Sequence, residues 1–276
     1  MKTPVCAAAI ALGLTAVVLG LAGARADQPG VPKEPVVPDE AFRAIVKEAN
    51  HFIQEPLTKA RTASPKPADA SGYYGSARSN ALLIALAAQN RMRDGRADAG
   101  RLATLRDAAV RLADVVQNNP RNLTEIVQLA DLLNSYPDLK ADPNARSGRV
   151  RLKDTFTHDD ITFLFGGCSG RSGHAIQSDL LALSRQRSFT LAEVTKIERL
   201  GYKVALLAEL VREFAPTFVS PNKPGRQEEW VRLADIVQQG GWDLAATVRD
   251  ADFTEMKQGL GTLYSACATC HVLFRN

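Results

Sequence analysis

Near the end of the chain, Cys267-Ala268-Thr269-Cys270-His271 brings two thiols and an imidazole within little more than one helical turn. On a helix, positions i, i+3 and i+4 share one face. Two thiols so placed can each form a thioether to a vinyl group of one porphyrin. The adjacent imidazole then reaches the iron from the same side. C-x-x-C-H is the attachment signature of c-type haem, so one covalent haem c is the expected cofactor, with His271 as axial iron ligand. Three other chemistries use close cysteine pairs. A zinc site needs further ligands, and there is no second Cys/His pair at finger-like spacing. A thioredoxin-type pair belongs in a βαβ setting. A plain disulfide suits an oxidising compartment.

The residues before the motif must position it. Met256, Leu260, Leu263, Tyr264, Cys267, Cys270, His271 and Phe274 recur at helical spacing. The haem is therefore expected on the buried face of a terminal helix, as a large apolar addition to a bundle core. Most segments after Arg78 read the same way: 81–92, 101–117, 191–214, 228–238 and 253–274 are rich in Ala, Leu, Arg, Glu and Gln at three- and four-residue steps. No run alternates like a strand, so the expected fold class is all-α. Residues 27–38 hold four prolines and read as a flexible leader, and 63–75 as a second breaker-rich stretch.

An octet repeats. Val110 to Gln117 (VRLADVVQ) recurs 121 residues later as Val231 to Gln238 (VRLADIVQ), with one conservative change. The register continues without gaps: Leu123 matches Leu244, Val127 matches Val248, and Ala130-Asp131 matches Ala251-Asp252. Asn118-Asn119-Pro120 and Gln239-Gly240-Gly241 put breakers at the same point. This predicts two tandem four-helix-bundle-like repeats, 39–150 without a haem motif and 151–276 with it, linked near 141–153. The position matching Cys267 in the first repeat is Arg146.

Residues 1–26 read as a signal peptide: Lys2, a low-charge stretch from Ala7 to Leu21, and the Ala24-Arg25-Ala26 cleavage signal. An uncleaved anchor is the alternative. The remainder is expected to be exported, to a periplasm in a Gram-negative-like cell, with no stable membrane span after processing. The whole chain carries +4; loss of Lys2 and Arg25 brings it near neutrality, and no dense basic run points to nucleic acid. Of four cysteines, Cys6 leaves with the signal. Three are too few for a disulfide framework.

The ending Cys267-x-x-Cys-His-x-x-Phe-Arg275 resembles cytochrome c prime, a four-helix-bundle family whose C-terminal helix bears the haem. The resemblance covers about 159–276. It aligns Phe189-Thr190-Leu191-Ala192-Glu193-Val194 with the start of the family's second helix, and Glu228 to Gln238 with the third, ending at a glycine. It implies that His271 is the proximal ligand, that Arg275 lies near the proximal haem face, and that the chain binds small gases or carries electrons. It also suggests a homodimer. Two departures stand out: the stretch from Gly241 to Cys267 is longer than in the family, and Gly166 to Gly173 is a poor helix former where the family places its first helix.

The sixth iron position decides between roles, because an iron with one protein ligand binds gases or peroxide and one with two mainly transfers electrons. Met256 lies about 22 Å along the helix from His271, and Met92 is in the other repeat, so neither suits. His174 is the distal candidate, with a capping or surface histidine as the plainer reading. Cys168 reads as a buried thiol and Arg171 as solvated. Trp230 and Trp242 read as core; His51 and His158 have no partner in the sequence. The leading expectation is a monohaem electron carrier or gas binder with an unidentified redox partner protein. The rivals are a haem enzyme acting on peroxide or nitrogen oxides, with His174 as its acid or base, and a haem-bearing interaction module.

Overall fold

The computed structural model describes residues 35–63, 67–95, 98–166, 173–215 and 224–274, with side chains for all but 59–63, 67–73, 224, 271 and 274. The signal peptide, most of the leader, Cys168, Arg171 and Arg275 lie outside the described residues. Helical periodicity dominates, and the described residues are all-helical with no strand. The α-helices are α1 (Asp39–Ala63), α2 (Pro67–Arg91), α3 (Ala99–Asn118), α4 (Leu123–Asn134), α5 (His158–Phe165), α6 (Ile176–Ser184), α7 (Leu191–Glu213), α8 (Pro224–Thr247) and α9 (Phe253–Phe274). No helix among the described residues is long and apolar enough to cross a membrane.

Local signals set several ends. α7 opens with a capping box: Thr190 Oγ1 accepts from the Glu193 N–H, and the Glu193 carboxylate accepts from the Thr190 N–H. α4 is capped by Asn122, which accepts from the Glu125 N–H. Two expected breaks do not occur. α2 begins inside the 63–75 stretch, at Pro67, because proline costs nothing in a first helical turn. α8 runs through Gly240 and Gly241 to Thr247, rather than ending at a glycine. Those glycines serve packing. A Cβ on Gly241 would lie 2.7 Å from the Gly201 carbonyl oxygen and from the Ala205 nitrogen of α7. Gly201-x-x-x-Ala205 and Gly241-x-x-x-Ala245 thus let two helix backbones touch. The tail of the leader is also fixed: the buried Val37 donates its N–H to Asn90 Oδ1, and its carbonyl accepts from Arg91.

Neighbouring helices pack in two rings. α2 lies between α1 and α3, and α4 touches both α3 and α1. α8 lies between α7 and α9, and α9 returns against α6, which touches α7 more lightly. α5 sits where the rings meet, against α2, α6 and α7. One hydrophobic core runs through both rings, from Val37 to Cys267. The junction is held by Arg78 of α2, whose buried guanidinium pairs with Asp160 of α5 at 2.9 Å and donates to the carbonyls of Ala113 and Thr155. The 141–153 stretch is held to α3 as well: the fully buried Arg106 donates to the carbonyls of Gly148 and Arg146.

Candidate functional site

The motif lies in the last turns of α9. Asp252 starts this helix, its carboxylate accepting from the N–H groups of Thr254 and Glu255. The stripe expected from the spacing is buried: Met256, Leu260, Leu263 and Cys267 face inward, with Tyr264 and Cys270 packed partly against the same core. Cys267 is 8% exposed and Val272 82% exposed, which fixes the inner and outer faces of this turn. The two thiols therefore stand one turn apart on the face that packs toward α6 and α8. His271 is described through its helical backbone, which places it one residue beyond Cys270 and four beyond Cys267.

Neither thiol is in a disulfide. Burial pushes the Cys267 thiol up to about 12, with the Cys270 sulfur as a second cause. Burial also raises Cys270. Both are protonated thiols at neutral pH. Reactive redox pairs and zinc thiolates need the opposite, a stabilised anion, which helix N-termini and nearby cations provide. Among the described residues no helix N-terminus or cation is aimed at this pair; both shifts come from burial, and at Cys267 also from the neighbouring sulfur. No group of three or more His, Cys, Asp or Glu able to hold a metal occurs among the described residues. Two neutral thiols on one packed face, followed by a histidine, fit the donor set of a covalent haem better than that of zinc or of a dithiol switch.

α8 supplies the surroundings of the motif. It runs antiparallel to α9: Arg226 near its start donates to the Leu273 carbonyl, and Gly240 and Leu244 lie against Leu263 and Gly259. Trp230 is four residues along α8 from Arg226, and Cys270 is three back from Leu273. Gly240 against Leu263 puts Trp230 level with Leu273, so Trp230 and Cys270 lie within about one helical turn of each other along the pair. The indole of Trp230 donates to the Val211 carbonyl at 2.9 Å and, with the Phe214 ring, lies about 6 Å from the His158 ring. An aromatic group from α5, α7 and α8 thus sits at the motif's end of the second ring. Both tryptophans are core residues, as their type suggested.

Comparison with protein-family models, with curated proteins and with solved structures returns no match. The reading of this site therefore rests on its own residues and on the motif resemblance.

His174 is neither a surface residue nor an open distal ligand. Gly173 precedes it at φ +76°, a left-handed turn pressed against the Phe52 ring where no side chain fits. His174 is consequently buried against α1, α2 and α7. Asn80 Nδ2 donates to the Ser76 carbonyl, so its Oδ1 faces the imidazole and His174 Nε2 must donate to it, at 3.0 Å. Nδ1 is then the acceptor, 3.3 Å from Lys203 Nζ. Burial, and secondly the Lys203 charge, lower the imidazole to about 3 and keep it neutral. Lys203 itself pairs with Glu48 at 2.7 Å. Both ring nitrogens are committed to protein partners, so ligation or acid–base work would require breaking this cluster. Glu48, Asn80 and Lys203 carry no sequence signal beyond being polar residues inside apolar helical stretches. Of the remaining candidates, Met256 is buried in the stripe, the Met92 sulfur lies against Arg106, and His51 is exposed beside Glu55.

Proposed function

We propose that this chain is an exported, periplasmic monohaem c-type cytochrome of the cytochrome c prime-like kind, carrying electrons or binding small gases at its iron. One observation carries the reading. Two protonated thiols, not in a disulfide, stand one turn apart on the packed face of the terminal helix, with a histidine in the next position. Cys267 and Cys270 would hold the haem, and His271 would ligate the iron. The bound group supplies a one-electron iron couple and, if the sixth position is open, a gas site. The protein's part is to fix the ring against the α6, α8 and α9 faces and to keep water from it, with Trp230 and Phe214 as nearby apolar walls.

We propose further that the two rings arose by duplication, the first without a haem. The octets support this, since they fall in α3 and α8, the third helix of each ring. The enzyme reading loses support because His174, its expected acid or base, is neutral and committed to Asn80 and Lys203.

The test is expression with the haem-attachment machinery, followed by intact mass and a reduced-minus-oxidised spectrum. The expected result is the processed chain plus one haem, with c-type absorption bands. A colourless protein weighing only its polypeptide overturns the proposal. Carbon monoxide added to the reduced form separates the two roles: a shifted spectrum supports gas binding, and an unchanged low-spin spectrum supports electron transfer alone.

A further inference from the structure

A cavity of about 160 Å³ lies beside the His174 cluster, lined by Glu48 of α1, by Gly173 to Ile176 and Asp179 at the start of α6, and by Lys196, Arg199 and Lys203 of α7. That is room for a molecule of about six heavy atoms, since an engineered cavity of ~150 Å³ admits benzene. Three cations and two carboxylates line it. Glu48 pairs with Lys203, and Asp179 with Lys196, each at 2.7 Å. The half-buried Arg199 has no hydrogen bond or ion pair among the described residues. It stands three residues from Lys196 and four from Lys203 on one helix face, a spacing that sets like charges against each other. Lys203 uses two of its three ammonium donors, on Glu48 and on His174 Nδ1.

We propose that this cavity binds a small monovalent oxyanion, of carboxylate or nitrate size, held between the Arg199 guanidinium and the Lys203 ammonium. The single surplus positive charge sets the valence. The planar fork of Arg199 suits two oxygens of one anion. The cavity size rules out a nucleotide or a peptide chain. A bound anion would relieve the crowding of Arg199 against its two lysine neighbours, so binding should also stabilise the fold. The proposal is independent of the haem, since none of these residues belongs to the motif.

The test is calorimetric titration of the full processed protein with sodium acetate, propionate or nitrate, against sodium chloride at matched ionic strength. Saturable binding tighter than about 10 mM is expected for at least one oxyanion, with chloride giving none. Arg199→Gln should weaken it about tenfold or more. Arg212→Gln, an exposed arginine on the same helix, should leave it unchanged. Binding of acetate or propionate alone identifies an organic carboxylate, and binding of nitrate alone an inorganic oxyanion. No saturation with any of the three, or equal affinity in the Arg199 variant with its helical circular dichroism intact, overturns the proposal. Lys203→Met provides a second check, in which lost binding must accompany retained fold.

Discussion

Advanced by 121 residues, the first three helices of the first ring fall on helices of the second. α2 lands on α7, and α3 on most of α8. α1 lands on α5 and α6 together, α5 ending at Phe165 and α6 beginning at Ile176. The fourth helices do not correspond: advanced α4 covers 244–255, the end of α8, the turn after it and the start of α9. α4 has 12 residues and α9 has 22. Where α9 carries Cys267, the first ring has Arg146, in a loop whose backbone N–H and guanidinium bind Asp107 of α3. The Cys-x-x-Cys-His motif thus sits on helix that the first ring does not build. The interiors differ too. In place of Asn80, which the first ring buries and bonds to His174, the second has Gly201, whose backbone touches α8. The same helical pattern can close around charged and amide groups satisfied by carbonyls, or around bare backbone contact.

The largest effect should come from removing what the second ring alone possesses. Cys267→Ala with Cys270→Ala should abolish haem that survives denaturing electrophoresis, read by haem staining. Retained covalent haem would erase the distinction between the rings. The junction comes next. Arg78→Met leaves Asp160 buried without its partner and should cost about 3–5 kcal/mol in urea unfolding, whereas Arg212→Met, breaking the exposed pair with Asp235, should cost less than about 1 kcal/mol. Equal losses would mean the junction is not what joins the rings.

Gly241→Ala tests the bare contact. Its new Cβ meets backbone at 2.7 Å, so a loss of roughly 1–3 kcal/mol is expected. Gly225→Ala, with nothing within 4 Å, should leave the thermal midpoint unchanged or higher.

The smallest effect is pH-dependent. The unfolded chain protonates His174 near 6.5, while the folded chain does so only near 3. The stability it contributes is therefore full above pH 6.5 and drains as pH falls toward 3, by up to about 1.4 kcal/mol per pH unit. His174→Asn should be less stable at pH 7, and its deficit should shrink by about 1.6 kcal/mol between pH 6.5 and 5. A constant deficit would show that burial does not hold this imidazole neutral.

Much of this was legible beforehand. The helices at 101–117, 191–214 and 253–274 followed from apolar spacing, and the inward set of Cys267 and Cys270 followed from the stripe on α9. Glycine misled at 240–241, because its helix-breaking tendency is intrinsic while its value at a helix crossing depends on a partner 40 residues away. Proline misled at 67, because its effect reverses at a first turn. The His174 cluster was hidden for a related reason: Glu48, Asn80 and Lys203 come from three separate helices, and no local pattern announces that a charged residue will be buried.

The contact between Gly201 and Gly241 acts as the spine of a book. With α7 and α8 packed there at backbone distance, neither can move closer or roll against the other without collision. On the proposed function, a flat, rigid insert would enter at the opposite fore-edge, where α9 carries its two sulfurs and meets α6.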